Sequence, residues 1–324
     1  SDVYKRQAKH AAPRDPSCTY DGMQPKIGHR GSYTYGQFHQ KSRKALEMLD
    51  YSPALMTDMY EYTMLDACLK DGTANRKCVF EIFTRHLPLG RHYGVAAGQG
   101  RILDALEKFH LDDNDLKFLA DRKVVSPETI KWLENFHFSG SIKGYREGEM
   151  FFPNSPILQV EGTFGECTLL ETLLLVTFNH QCLIATKANR IVRSAAGRPV
   201  MEFGARRAQG YDAAYFGARA SYIGGCGSTS CVMAARDFGI PASGTMAHSW
   251  VQMFPTEYDA FKKYAEMYPD ACVLLVDTYN VLRHGVPDAI KVFDEVLKPM
   301  GKRPKGIRCL LYTSDAADEA RSVD

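Results

Sequence analysis

The chain has 324 residues, 45% of them hydrophobic and 24% charged, which is enough apolar material for a large core and for one or two domains. With 40 Lys and Arg against 38 Asp and Glu the formal charge is +2, so the clustered basic excess of a dedicated nucleic-acid binder is missing. Nine cysteines, an odd number without a CxxC pair, point to reduced thiols and a cytoplasmic protein, and no second cysteine pair or nearby histidine completes a zinc set around Cys226 and Cys231. The N-terminus lacks an apolar signal-peptide region, and the longest apolar runs are too short to span a membrane.

Residues 1–50 are rich in Lys, Arg, Gln, Ser, Gly and Pro and show no sustained apolar period. Such a composition cannot build a core. The opening SDVYKRQ and the closing LYTSDAADE look similar to translated adapter read-through. The expected division is therefore a disordered or artefactual leader (1–50), an N-terminal α+β domain (51–165), a partial α/β barrel domain (166–310) and an artefactual tail (311–324).

From Leu55 the chain becomes periodic. A helix is expected to open at 55–65, capped by Thr57 or Asp58, with Tyr60, Met64 and Leu65 near a helical period. Residues 78–83 alternate as a strand and lead into a turn rich in Gly, Pro and basic residues at 84–94. The apolar spacing predicts helices at 100–109, 112–119 and 127–136, then short strands within 140–162, and a buried helix or kinked pair over 167–192.

From Pro199 the pattern is strand, turn, helix, repeated. A strand at 200–203 precedes a helix at 212–222. Ile223 is read as starting a second strand, whose glycine turn leads to a helix at 228–238 closed by Gly239. Residues 240–245 form a third strand before a helix at 257–267 with Thr256 as N-cap. A fourth strand, 272–276, ends in Asp277 and leads to a helix at 287–297, where Pro287 suits the first turn. Residues 305–308 form a fifth. Strands alternating with helices at this spacing argue for a parallel sheet, open or closed as a barrel.

Three segments carry the chemistry: EFGARRAQG at 202–210, GGCGSTS at 224–230 and GTMAHS at 244–249. They set a carboxylate, arginines, a glycine turn and a histidine where α/β proteins place their sites. In this order the segments closely resemble the EFG-x-RRA-x-G, GG-x-x-S/T-S and GT-x-AHS motifs of nicotinate phosphoribosyltransferase. TDMYEYTM at 57–64 and FTRHLPLG at 83–90 are similar to two further motifs of that family. The resemblance runs from Leu55 to Arg308. The family strand then continues with L/I-D-S-G-D, whereas this chain reads Cys309-Leu-Leu-Tyr-Thr, so the resemblance implies a truncated C-terminus.

The resemblance implies an irregular (β/α) barrel with an N-terminal α+β domain, here incomplete at the C-terminus, in a homodimer whose sites draw on both subunits. It implies nicotinate, phosphoribosyl pyrophosphate and ATP as substrates, with Mg²⁺ on the pyrophosphate and no protein metal ligand assigned. His248 would be phosphorylated by ATP, and Tyr60 would stack on the nicotinate ring. Arg85 and Arg206 would contact substrate, and Arg308 would hold the nicotinate carboxylate. Thr245 and Ser249 lie in the histidine motif, and Lys187 matches a family position.

Several of these residues have plainer alternatives: a core tyrosine for Tyr60, a solvated arginine for Arg85 and a solvated helix lysine for Lys187. The turn of Gly224 and Gly225, with Ser228 opening a helix, would offer backbone N–H groups to a phosphate. The family often has asparagine where this chain has Cys231. Glu202 and Asp277, at strand ends, would bind ribose hydroxyls or Mg²⁺ through water, or order nearby arginines. The rival readings are a nicotinamide-using relative, which needs no carboxylate-binding arginine, and a catalytically incompetent fragment.

Overall fold

A computed structural model of the protein describes residues 3–7 and 52–309. The chain divides between Ser243 and Gly244 into two compact units. Apart from the short strand Val3–Gln7 (β1), the expected leader lies outside the described residues, as does the expected tail at 311–324.

The first unit opens, after β1, with the helix Met59–Lys70 (α1). Its inward face is Glu61, Tyr62 and Leu65, whereas Tyr60 is 48% exposed. Strand Lys77–Thr84 (β2) turns Phe80, Ile82 and Thr84 inward on every second residue, the pattern of a half-buried strand. A two-residue strand, Gly94–Val95 (β3), follows. The helices Gln99–Glu107 (α2), Asp113–Asp121 (α3) and Pro127–Leu133 (α4) come next, then the strands Ser141–Gly144 (β4), Met150–Phe151 (β5) and Leu158–Thr163 (β6). The helices and strands β2, β4, β5 and β6 fall close to the predicted segments, whereas β3 begins at the end of a stretch expected as a turn. Helix α3 starts on a reciprocal cap between Asp112 and Asp115, and α4 carries Pro127 in its first turn.

The main sheet is antiparallel in the order β1-β2-β6-β4, with Phe80 opposite Val160 and Ile142 on the other side of Val160. The stretch expected as a helix or kinked pair is a pair. Phe164–Leu169 (α5), capped reciprocally by Thr163 and Glu166, breaks at Leu170 before the 24-residue helix Glu171–Ser194 (α6). Leu169, Leu170, Leu173, Leu174 and Phe178 from this pair share one core with Leu65, Phe80, Ile82 and Val160. That core crosses the expected boundary at 165/166, because the apolar face of α5 and the first half of α6 packs on the sheet.

After α6 come Met201–Glu202 (β7), Tyr211–Ile223 (α7), Ser228–Thr229 (β8) and Val232–Phe238 (α8). Strands β7 and β8 are parallel, with Glu202 beside Thr229, and Thr229 forms a parallel bridge to Ala242. Two expectations are corrected here. Ile223 ends helix α7 instead of starting a strand, and Ser228 lies in β8 while helix α8 begins only after Cys231. The glycine turn stops one helix and does not open the next. A Cβ on Gly224 would lie 2.5 Å from the Ala185 carbonyl oxygen, so glycine is what lets the end of α7 close on α6. Gly225, at φ +107°, then turns the chain out of the helix. The third expected strand, 240–245, is reduced to the bridge at Ala242.

The second unit contains His248–Gln252 (α9), Glu257–Met267 (α10), Val273–Leu275 (β9), Val286–Val292 (α11) and Gly306–Arg308 (β10). Thr256 caps α10 as expected, accepting a hydrogen bond from the Asp259 amide, and Pro287 lies in the first turn of α11. Helix α11 is flanked by two wide turns, Val281–Gly285 and Phe293–Leu297. Strands β9 and β10 are parallel. Leu274, Leu275, Val276, Phe261, Ala265, Val292 and Leu297 form the core of this unit. The architecture is mixed α/β, and among the described residues the parallel ladders are two separate two-stranded pieces with no closed barrel. No described helix is long and apolar enough to cross a membrane.

Candidate active site

In the second unit, folding gathers side chains from three separate segments. His248 begins the short helix α9, Asp277 directly follows β9, and Arg308 closes β10. The parallel ladder sets Arg308 beside the Asp277 segment, because the Arg308 carbonyl accepts from the Val276 amide at 3.0 Å. The His248 Nε2–H donates to Asp277 Oδ1 at 3.1 Å; the carboxylate is fully buried and the imidazole 18% exposed. A buried carboxylate on one ring nitrogen fixes the tautomer and leaves the lone pair on the other, Nδ1. Arg308 Nη1 donates to Thr245 Oγ1 at 2.9 Å and to the Met246 carbonyl at 3.5 Å, which aims the guanidinium at the turn before His248. Thr245, His248, Asp277 and Arg308 thus form one cluster, and Ser249 is exposed beside it.

The first unit holds the remaining candidates. Glu202 accepts from Thr229 Oγ1 at 2.6 Å and, closely, from the Gly204 amide. Its carboxylate ties the ends of two parallel strands together, and the turn Ala205–Arg207 carries Arg206 and Arg207 into solvent from there. Tyr60 is exposed, which removes the core-tyrosine alternative. Partial burial and then Glu171, Glu61 and Asp58 hold its hydroxyl above its ordinary pKa. The core tyrosine of this helix is Tyr62, whose hydroxyl donates to the Ala54 carbonyl at 2.9 Å. Arg85 is exposed at the end of β2, and Lys187 is exposed on α6. Gly224, Gly225 and Ser228 lie between the end of a helix and a strand, so the helix N-terminus expected to cradle a phosphate there is absent.

The sequence reading passed over Glu257, which as the first residue of α10 behind a threonine cap looked like an ordinary acidic first turn. It is 4% exposed, and neither carboxyl oxygen has a hydrogen-bond partner. Burial, then the charges of Asp288 and Asp277, push it up to about 7. The first turn of a helix favours a carboxylate by about 0.3–1 kcal/mol. An unpaired buried polar group costs about 1–3 kcal/mol, and more when charged, so burial wins.

Among the described residues, no group of three or more His, Cys, Asp or Glu side chains is gathered so as to hold a metal ion. No disulfide joins the described cysteines, and burial followed by the Glu202 charge pushes the Cys226 thiol up to about 11, far from a reactive thiolate.

Comparison with known proteins agrees with the motifs. Residues 55–179 match the nicotinate phosphoribosyltransferase (NAPRTase) N-terminal domain, and residues 199–291 match the NAPRTase family. A nicotinate phosphoribosyltransferase of Mycobacterium tuberculosis is 47% identical over 244 residues, covering 73% of this chain and 54% of the relative. One from Bacillus subtilis is 46% identical over 268 residues, covering 83% and 54%. The crystal structure of human nicotinic acid phosphoribosyltransferase superposes with a TM-score of 0.71 at 31% identity, covering 82% of this chain and 63% of that one. The chain spans about half the length of the curated relatives it matches. Two matches in the family's own order, reaching across both units and carrying the histidine, arginine and glutamate segments, leave one assignment: the chain belongs to the nicotinate phosphoribosyltransferase family.

Proposed function

We propose that the chain carries the machinery of an ATP-coupled nicotinate phosphoribosyltransferase, which joins nicotinate to phosphoribosyl pyrophosphate and yields nicotinate mononucleotide and pyrophosphate. The observation that carries this reading is the cluster of His248, Asp277, Thr245 and Arg308, assembled from three segments of the second unit.

In phosphoribosyl transfer the ring-nitrogen lone pair of nicotinate forms the bond to the anomeric carbon, while the bond from that carbon to the pyrophosphate oxygen breaks. Pyrophosphate leaves with the electron pair. The pyridine nitrogen has no proton to lose, so the protein supplies orientation and charge complementarity and no general base. Arg308 is the partner for the nicotinate carboxylate, since a planar guanidinium donates two parallel hydrogen bonds to it. Exposed Tyr60 offers a ring face for stacking, while Arg85 and Arg206 supply charge for the phosphates. Mg²⁺ carried with the phosphoribosyl pyrophosphate would supply neutralising charge for the leaving group, with no protein ligand assigned to it.

ATP enters through His248. Nδ1 attacks the γ-phosphorus, an N–P bond forms, the P–O bond to ADP breaks, and ADP leaves with the electron pair. The resulting imidazolium keeps its Nε2–H on Asp277, whose buried charge stabilises it. Asp277 is thus assigned to orienting the imidazole, and Glu202 to joining two strand ends. The parallel ladders are read as parts of an irregular barrel, and the working form as a cytoplasmic homodimer.

The test is to supply the chain with nicotinate, phosphoribosyl pyrophosphate and γ-labelled ATP. Nicotinate mononucleotide and acid-labile label on His248 are expected. Equal use of nicotinamide would favour the amide-using relative, and absence of both product and nicotinate binding would overturn the reading.

A further inference from the structure

Glu257 is a buried acid that the proposed chemistry leaves unused. It lies on α10, which packs against α9, α11 and both wide turns of the second unit. Thr256 makes the helix cap, so the Glu257 carboxyl is not needed there. Both of its oxygens are buried without a hydrogen-bond partner.

The charged groups on the surrounding elements offer no compensation. Asp277 after β9 and Asp288 on α11 are the neighbours that act on it, and both are acids. Arg283 and His284 in the first wide turn, Lys291 on α11, and Asp294 and Glu295 in the second wide turn are exposed to water. On α10 itself, Asp259, Lys262, Lys263 and Glu266 are exposed. His248 on α9 is already engaged by Asp277. A carboxyl group in such surroundings is easier to keep neutral than to ionise.

We propose that Glu257, buried without a hydrogen-bond partner on the helix that packs against the His248 helix, is a positioning residue whose neutral form keeps a second negative charge out of the core of this unit, so that the anionic γ-phosphoryl group can approach the imidazole. Ionised Glu257 would add a second buried negative charge to the same small unit, and like charges in a poorly solvated site repel strongly. The residue touches no reacting atom; it acts through Asp277. The role rests on the reading that His248 accepts a phosphoryl group, whereas the neutral state of Glu257 does not.

Two measurements on the full 324-residue chain separate these statements. The first is isotope-edited infrared spectroscopy with labelled glutamate. A protonated-carboxyl band present at pH 6, lost by pH 8.5 and absent from Glu257→Gln is expected; a spectrum with no band assignable to Glu257 overturns the proposal. The second is the pH profile of label transfer from γ-labelled ATP to His248. If only the neutral form is competent, wild-type labelling falls about ten-fold or more between pH 6 and pH 8.5. Glu257→Gln and Glu257→Leu, both permanently neutral, should hold it within about two-fold.

Because ATP itself changes charge in this range, the comparison between variants is decisive and the wild-type slope alone is not. An unchanged alkaline limb in Glu257→Gln sinks the positioning role, as does a loss with Leu but not Gln, which would mark a hydrogen bond instead of a charge effect. A wild-type chain with the infrared band but no label at any pH would sink the phosphorylation reading and the positioning role together, leaving only the neutral acid standing.

Discussion

Two glutamates withdrawn from water behave in opposite ways, one in each unit. Glu147 in the first unit accepts a two-pronged pair of hydrogen bonds from Arg219, at 2.8 Å and 2.7 Å, and another from the Gly98 amide at 2.8 Å. Arg219 is 2% exposed, and the Glu147 side chain 12%. Burial raises the Glu147 pKa, but the Arg219 charge and the hydrogen bonds outweigh that and hold the group below its ordinary value. Glu257 in the second unit is buried with no hydrogen bond, and burial, followed by the charges of Asp288 and Asp277, moves its pKa the other way, to about 7. Burial alone therefore does not mark a functional carboxylate. The partner decides: a satisfied pair is scaffold, and an unsatisfied buried acid on a helix packed against the His248 helix is a candidate for chemistry.

The sharpest way to break this contrast is at the histidine itself. His248→Asn should abolish phosphohistidine formation completely, as read by acid-labile label from ATP, while circular dichroism stays unchanged. Surviving label would move the nucleophile elsewhere and remove the reason for treating Glu257 as more than a misfit.

On the scaffold side, Arg219→Ala leaves Glu147 without its counter-charge and should cost about 3–5 kcal/mol in urea unfolding, the usual penalty for breaking a buried pair by removing one member. A cost below about 1 kcal/mol would mean that the pair is solvated in practice and the contrast is false.

Arg308→Ala should weaken nicotinate binding about 10- to 100-fold, the loss expected for a charged hydrogen-bonded contact of about 1.5–3 kcal/mol, and leave nicotinamide binding nearly unchanged. Titration calorimetry with both ligands checks it. Equal losses for the two would show that the arginine shapes the turn at Thr245 and does not read the carboxylate.

The smallest effect concerns stability and pH. A carboxyl group whose pKa is raised by folding holds its proton in the native state after the unfolded chain has lost it. Its contribution is therefore favourable below the ordinary value near 4.5 and is lost as pH rises through about 7. Glu257→Gln should accordingly be more stable than wild type at pH 8, by about 1–3 kcal/mol, and nearly equal to it at pH 5. Glu147 has the opposite sign, since its stabilisation is present above the ordinary carboxylate range and is lost as pH falls through its depressed native value. Chemical denaturation at both pH values would expose a wrong sign directly.

Where the sequence alone was a good guide, the reason is local. The alternation of 78–83, the threonine cap at 256, the proline in the first turn of α11 and the break within 167–192 are each set by neighbours within one or two turns of chain. The reading of the glycine turn failed for a non-local reason. Gly224 is required by the backbone of Ala185, on a different helix, so the turn closes α7 where the sequence suggested that it opens the next helix. The core that spans 165/166 was not legible for a related reason, since the apolar face of α6 shows periodicity but not the surface it packs against.

The same distinction runs through the candidate site. Sequence by itself determined the family and the order of the motifs, because motif residues keep their spacing along the chain. It singled out His248, Thr245 and Arg308 by resemblance and Asp277 only as a carboxylate at a strand end. Only the tertiary structure decided that Asp277 meets the Nε2 of His248, that Arg308 holds the turn at Thr245, that Glu202 joins two strand ends, and that Tyr62 fills the core while Tyr60 faces water. It alone revealed Glu257. A glutamate behind a threonine cap reads the same in any helix, and its charge state depends on what the rest of the chain folds against it.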